Sequence, residues 1–152
     1  MDQLHLLVRN FRNAIERIPQ AKFHTTLGCA SIPYACCDDA SQLLAAYLHD
    51  NNFGQAVRMD GTNGGFNREL NSHVWLVCAG LIIDITADQF ERYGMPPVFI
   101  GASSEFHDLF DVDNQEQEVA DFRVRFANDA RWKGLFGNDY ELILCEIDRG
   151  GL

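Results

Sequence analysis

Cys37 is the residue of this sequence best placed to act as a nucleophile. With Cys36 it lies in Ile32-Pro33-Tyr34-Ala35-Cys36-Cys37-Asp38-Asp39-Ala40-Ser41-Gln42-Leu43-Leu44, which leads out of a loop and into a helix. A thiol at a helix N-terminus meets unsatisfied backbone N–H groups and the positive end of the helix dipole, and both favour the nucleophilic thiolate. The same N–H groups can hold the oxyanion formed when a carbonyl is attacked. His73, in Ser72-His73-Val74-Trp75, opens an apolar strand and can serve as the base. Asp84, in Leu81-Ile82-Ile83-Asp84-Ile85-Thr86, is a carboxylate inside an apolar run, which is costly unless it finds a partner. A carboxylate beside an imidazole fixes its tautomer and steadies the imidazolium, so the expected chemistry is acyl transfer by a Cys37, His73, Asp84 triad.

Two other chemistries use the same residue types. Cys36, Cys37, His73 and Asp84 could together ligate zinc, but adjacent cysteines are a poor start for a site whose first pair is normally spaced by two to four residues. No metal and no cofactor are therefore expected. Cys29, Cys78 and Cys145 read as small core residues. His5, His24, His49 and His107 read as satisfied surface or core polar groups.

The triad needs a helix and a hairpin to bring it together. Residues 38–48 carry Ala40, Leu43, Leu44, Tyr47 and Leu48 at helical spacing, with Asp38 and Asp39 in the first turn. Residues 73–78 and 81–85 are apolar and parted only by Ala79-Gly80, the pattern of a tight antiparallel hairpin. Paired positions in such a hairpin sum to roughly 159, which sets Asp84 opposite Trp75 and diagonal to His73.

Around these, the spacing predicts an amphipathic helix over 3–18, closed by Pro19, and a loop over 21–34. A short strand is expected at 54–59, a mobile Gly-rich turn at 60–67, a helix beginning at 86–93 and an edge strand at 98–100. Residues 119–136 read as a helix ending at Gly137-Asn138, and 140–147 as a final strand. Helices first and a mostly antiparallel sheet after them make an α+β fold, a single domain over 1–152.

The chain carries 22 acidic and 12 basic residues, a formal charge of -10. That balance repels phosphate backbones and anionic lipid, so nucleic acid and membrane are not the expected partners; the expected acyl-transfer chemistry points to a protein or peptide substrate instead. Five cysteines and no basic, apolar leader suggest reduced thiols and a cytoplasmic location, with leaderless export as an effector left open.

The three segments resemble the transglutaminase-like branch of the papain-like cysteine enzymes. Cys37 opens the helix with Ser41 four positions on and Leu43 and Leu44 at six and seven; His73 with Trp75 and Asp84 with Thr86 follow. This register selects Cys37 over Cys36. The stretch from Leu81 to Phe90 also resembles an uncharacterised bacterial group of that superfamily. The resemblance covers about residues 31–90. It implies a papain-like core of N-terminal helices on an antiparallel sheet and a cysteine hydrolase of amide bonds: peptidase, amidase or glutamine deamidase. A transglutaminase or acyltransferase using an amine, and an inert binding module of the same fold, are the alternatives. Ser31, Tyr34 and Gln89 are the candidates for a second oxyanion donor. Gly61 to Phe66 is placed to line or cover the cleft.

Overall fold

The computed structural model describes residues 2–113 and 117–150. Helix α1 (Gln3–Arg17) is capped by Asp2, whose side chain accepts from the His5 N–H, and buries Val8, Phe11, Ala14 and Ile15 along one stripe. Two single 3₁₀ turns lead into α2 (Cys37–Asp50), whose buried residues run from Ala40 to Leu48. Ala35 reaches φ 56 just ahead of this helix, a left-handed turn that swings the chain into it.

The described strands form one antiparallel sheet in the order β4 (Phe99–Gly101), β3 (Leu81–Asp84), β2 (Leu70–Cys78), β1 (Val57–Gly64), β5 (Asp111–Val112). β6 (Glu118–Val119) also pairs with β1, at Val57 and Arg58. The fold is α+β, with all its strand pairs antiparallel. Leu76, Cys78, Ile83 and Ile85 join α1 and α2 in the larger hydrophobic core. A smaller cluster of Trp75, Ala87, Phe106 and Phe110 packs with Met59, Leu70, Ile82 and Phe90.

The hairpin forms in the expected register: Leu76 pairs with Ile83, Val77 with Ile82 and Cys78 with Leu81. Ala79 at φ 51 and Gly80 at φ 76 make its two-residue turn, the primed geometry that suits strand twist. β4 is the expected edge strand.

Four expectations are corrected. The Gly-rich stretch is strand as far as Gly64, because aromatic rings occupy the space where side chains would stand. A Cβ on Gly61 would lie 2.8 Å from Trp75 and Phe110 atoms, and one on Gly64 2.3 Å from the Phe110 ring. Residues 86–93 hold two separate 3₁₀ turns, parted by Phe90 at ψ 77, and no helix. Residues 119–136 break into β6, the short helix α4 (Phe122–Arg125) and the start of α5. The final strand at 140–147 is instead the middle of α5 (Ala130–Gly150), which buries Phe136, Tyr140 and Ile143 at helical spacing and packs on α1. No helix among the described residues is long and apolar enough to cross a membrane.

Candidate active site

Cys37 is the first residue of α2 and half-buried, while Cys36, at the N-cap position, is 1% exposed. Burial pushes the Cys36 thiol up to about 12, so it stays a neutral core group. Its side chain makes no capping hydrogen bond, and its carbonyl accepts from the Ala40 N–H at 2.8 Å. The first turn of α2 is thus left without a side-chain cap at Cys36.

His73 is fully buried on β2 and Asp84 nearly so at the end of β3. The His73 Nε2–H donates to Asp84 Oδ2 at 2.6 Å, across the diagonal that the hairpin register provides. The Cys37 thiol lies beside the ring and also raises it, and the nitrogen left free by Asp84 is Nδ1, which the Gln89 amide nitrogen approaches at 3.4 Å. The three residues expected to act together are thus brought together from three separate elements.

The electrostatics follow from this packing. Burial alone would drive the proton off His73. The charge and hydrogen bond of Asp84, with the Cys37 thiol behind them, outweigh it and hold the imidazole up to about 9. Burial would likewise raise Asp84, but the His73 charge and the His107 and His73 hydrogen bonds hold it well below the usual carboxylate range. Asp84 Oδ1 accepts from the Thr86 N–H at 2.9 Å and from its hydroxyl at 3.4 Å, so the threonine two residues on fixes the carboxylate plane.

Of the three candidate oxyanion donors, only Gln89 reaches this cluster. Its Nε2 donates to the Thr86 carbonyl at 3.0 Å and stands 3.4 Å from His73 Nδ1. Ser31 donates instead to Gln20 Oε1, and the Tyr34 hydroxyl to Glu91. Gln89 and Tyr34 both line a cleft of about 320 Å³ that also takes in Glu69, Leu70, Phe90 and Tyr93. Phe66, 78% exposed, packs tilted against the Tyr93 ring, and its N–H donates to the Tyr93 hydroxyl, which in turn donates to Glu69. The Gly-rich segment therefore ends against a residue of this cleft.

Comparisons with protein-family models, curated proteins and solved structures find no match for this chain.

His107, expected as a satisfied surface or core polar group, is a buried one, and its partner is the triad's own aspartate. This residue of the short helix α3 (Glu105–Asp108) is buried, and its Nε2–H donates to the same Asp84 Oδ2 at 2.7 Å. Its signal was faint: a Ser-x-x-His step at Ser104, the N-cap of α3. Cys78 is buried as expected, but Cys29 and Cys145 are exposed and are not core residues.

Among the described residues, the group whose ligand atoms converge closely enough to suggest a metal is His73, Asp84 and His107. A tetrahedral ion with bonds of about 2.0–2.1 Å keeps its ligand atoms roughly 3.3 Å apart. The 2.6 and 2.7 Å separations here are hydrogen-bond distances with a proton in each. Cys36 and Cys37 are not part of that group.

Proposed function

We propose that the protein is a cysteine-dependent acyl-transfer enzyme that hydrolyses amide bonds in a peptide or protein substrate. The observation that carries this reading is the fully buried His73, held by Asp84 through Nε2 with the Cys37 thiol beside it. An imidazole fixed by a carboxylate next to a thiol on a helix N-terminus is the arrangement nucleophilic catalysis needs.

In this reading the Cys37 sulfur attacks the carbonyl carbon while its proton is held on His73, the imidazole that Asp84 keeps protonated. The oxyanion meets the N–H groups of the first turn of α2, and the Gln89 amide is the adjacent side-chain donor. The tetrahedral intermediate expels the amine, which leaves with the proton from His73. Water, deprotonated by His73, then cleaves the thioester and frees Cys37. The core of N-terminal helices on an antiparallel sheet supports a transglutaminase-like or papain-like assignment. Water is the favoured acceptor because it needs no second binding site, and this compact chain has little room to build one. A peptidase, an amidase and a glutamine deamidase all share these steps.

The test is to incubate the protein and its Cys37→Ala variant with a cell lysate and survey the products by mass spectrometry. Cleaved or deamidated peptides that appear only with the native chain are expected. Cross-linked products would redirect the reading to an amine acceptor, and no difference between the two proteins would overturn it.

A further inference from the structure

We propose that His107 is a positioning residue of this site, a second imidazole that holds Asp84 and through it governs the orientation and charge of His73. Its functional consequence rests on the cysteine-enzyme reading above, whereas the coupling between the two histidines does not.

The tautomers follow from counting donors. The Ser104 hydroxyl oxygen accepts the His107 backbone N–H at 3.2 Å as the cap of α3. Its single hydrogen then goes to His107 Nδ1, 2.6 Å away. Nδ1 is thereby the acceptor, and Nε2 carries the hydrogen donated to Asp84. The result is one connected path, from Ser104 to His107, to Asp84 Oδ2 and to His73, with the Cys37 thiol beside it.

An imidazole amid aromatic rings is an expensive way to fill space. His107 packs edge-on against Trp75 at 4.8 Å and Phe106 at 5.1 Å, with Phe99 at 5.5 Å. An apolar side chain would fill that volume without needing two buried hydrogen bonds. What the imidazole adds is a second donor on the oxygen that His73 uses. With Thr86 on the other oxygen, Asp84 is clamped from both sides and cannot rotate away from His73.

The charge effect has a definite sign. The titratable groups facing His73 are Asp84 from β3, Cys37 from α2 and His107 from α3; its other neighbours are the Gln89 amide and the rings of Trp75, Phe90, Phe106 and Phe110. His107 itself faces Asp84, Ser104 and His73. Two donors share the charge of one carboxylate oxygen. Removing the His107 donor leaves that charge to His73 alone, which then keeps its proton to higher pH.

The experiment follows His73 by NMR in the full chain labelled with ¹⁵N-histidine, as native protein and as the His107→Leu, His107→Gln and Ser104→Ala variants. Cys37 alkylation by iodoacetamide, localised by tandem mass spectrometry, is measured alongside. His107→Leu should move the His73 midpoint upward by about half a pH unit or more. It should also slow alkylation roughly 10- to 100-fold, the range for losing one charge-assisted hydrogen bond. His107→Gln keeps an N–H donor and should restore most of both. Ser104→Ala should shift His73 in the same direction by less, and it keeps the test open if His107→Leu does not fold. A His73 midpoint that is the same in the native, Leu and Ala proteins would overturn the proposal and leave His107 as core packing. Alkylation that His73→Ala does not change would instead remove the cysteine-enzyme reading, while the NMR shift would still report the histidine coupling.

Discussion

Burial and partnership pull His73 in opposite directions, and the balance shows up as a pH dependence of stability. The imidazole titrates from a reference of 6.5 in the unfolded chain to about 9 in the folded one. Between those values the folded state binds the extra proton, so stability must fall as pH rises. The contribution of His73 is therefore complete below about pH 6.5 and lost through about pH 9. Asp84 is depressed, so its contribution is present above the ordinary carboxylate range and lost as pH falls into acid. Urea unfolding between pH 6 and 10 should show native stability declining across this window and the decline largely absent in His73→Gln. Equal slopes in the two proteins would mean that His73 is not held protonated. At this scale the sequence was legible where a role leaves a local mark. Cys37 sits at a helix start, His73 at a strand start and Asp84 in an apolar run. His107 leaves only the Ser104 step, which says nothing of Asp84, because that partner is 23 residues away and only the fold introduces them.

Between the elements, one buried cation fixes the segment that follows Asp84. Arg12 of α1 is 3% exposed. It donates to both carboxylate oxygens of Asp88 at 2.9 Å, to the Ile85 and Pro97 carbonyls and to Glu16. The first helix thereby anchors the turn that presents Gln89 to His73. An arginine at position 12 in an amphipathic helix looks like surface from the sequence, since nothing nearby in the chain announces a distant carboxylate. Its fork matches a carboxylate in a way a lysine cannot. Arg12→Ala strands Asp88 and two carbonyls and should cost about 3–5 kcal/mol; Arg12→Lys should recover only part of it. Urea denaturation measures the loss, and a change within about 0.5 kcal/mol, the level of an ordinary surface substitution, would show that the cluster is not cooperative. The same blindness explains the misread glycines. Gly61 and Gly64 signal a turn in isolation, yet they are strand residues because Trp75 and Phe110 close over them.

At the scale of the molecule, the C-terminal helix is what the sequence concealed most. Tyr140, Leu142 and Leu144 alternate as a strand would, while Phe136, Tyr140, Ile143 and Ile147 recur as a helix does, and a short apolar run supports either period. Packing decides between them, because α5 must cover α1 and the larger core. It also does something no strand reading would have suggested. Asp139, fully buried on α5, accepts the backbone N–H of His24 at 2.9 and 3.1 Å and that of Thr25 at 2.8 Å. The next residue, Thr26, donates from its N–H and its hydroxyl to Asp39 in the first turn of α2. The last helix thus steadies the loop that is tied to the turn carrying Cys37. Asp139→Ala leaves two backbone donors without an acceptor and should cost about 1–3 kcal/mol for each that stays buried. Asp139→Asn keeps one carbonyl oxygen to accept them and should lose less. Urea unfolding of the three proteins tests this ordering. If Asp139→Ala is as stable as the native chain, the loop is held by its own turns and α5 is only a lid on the core.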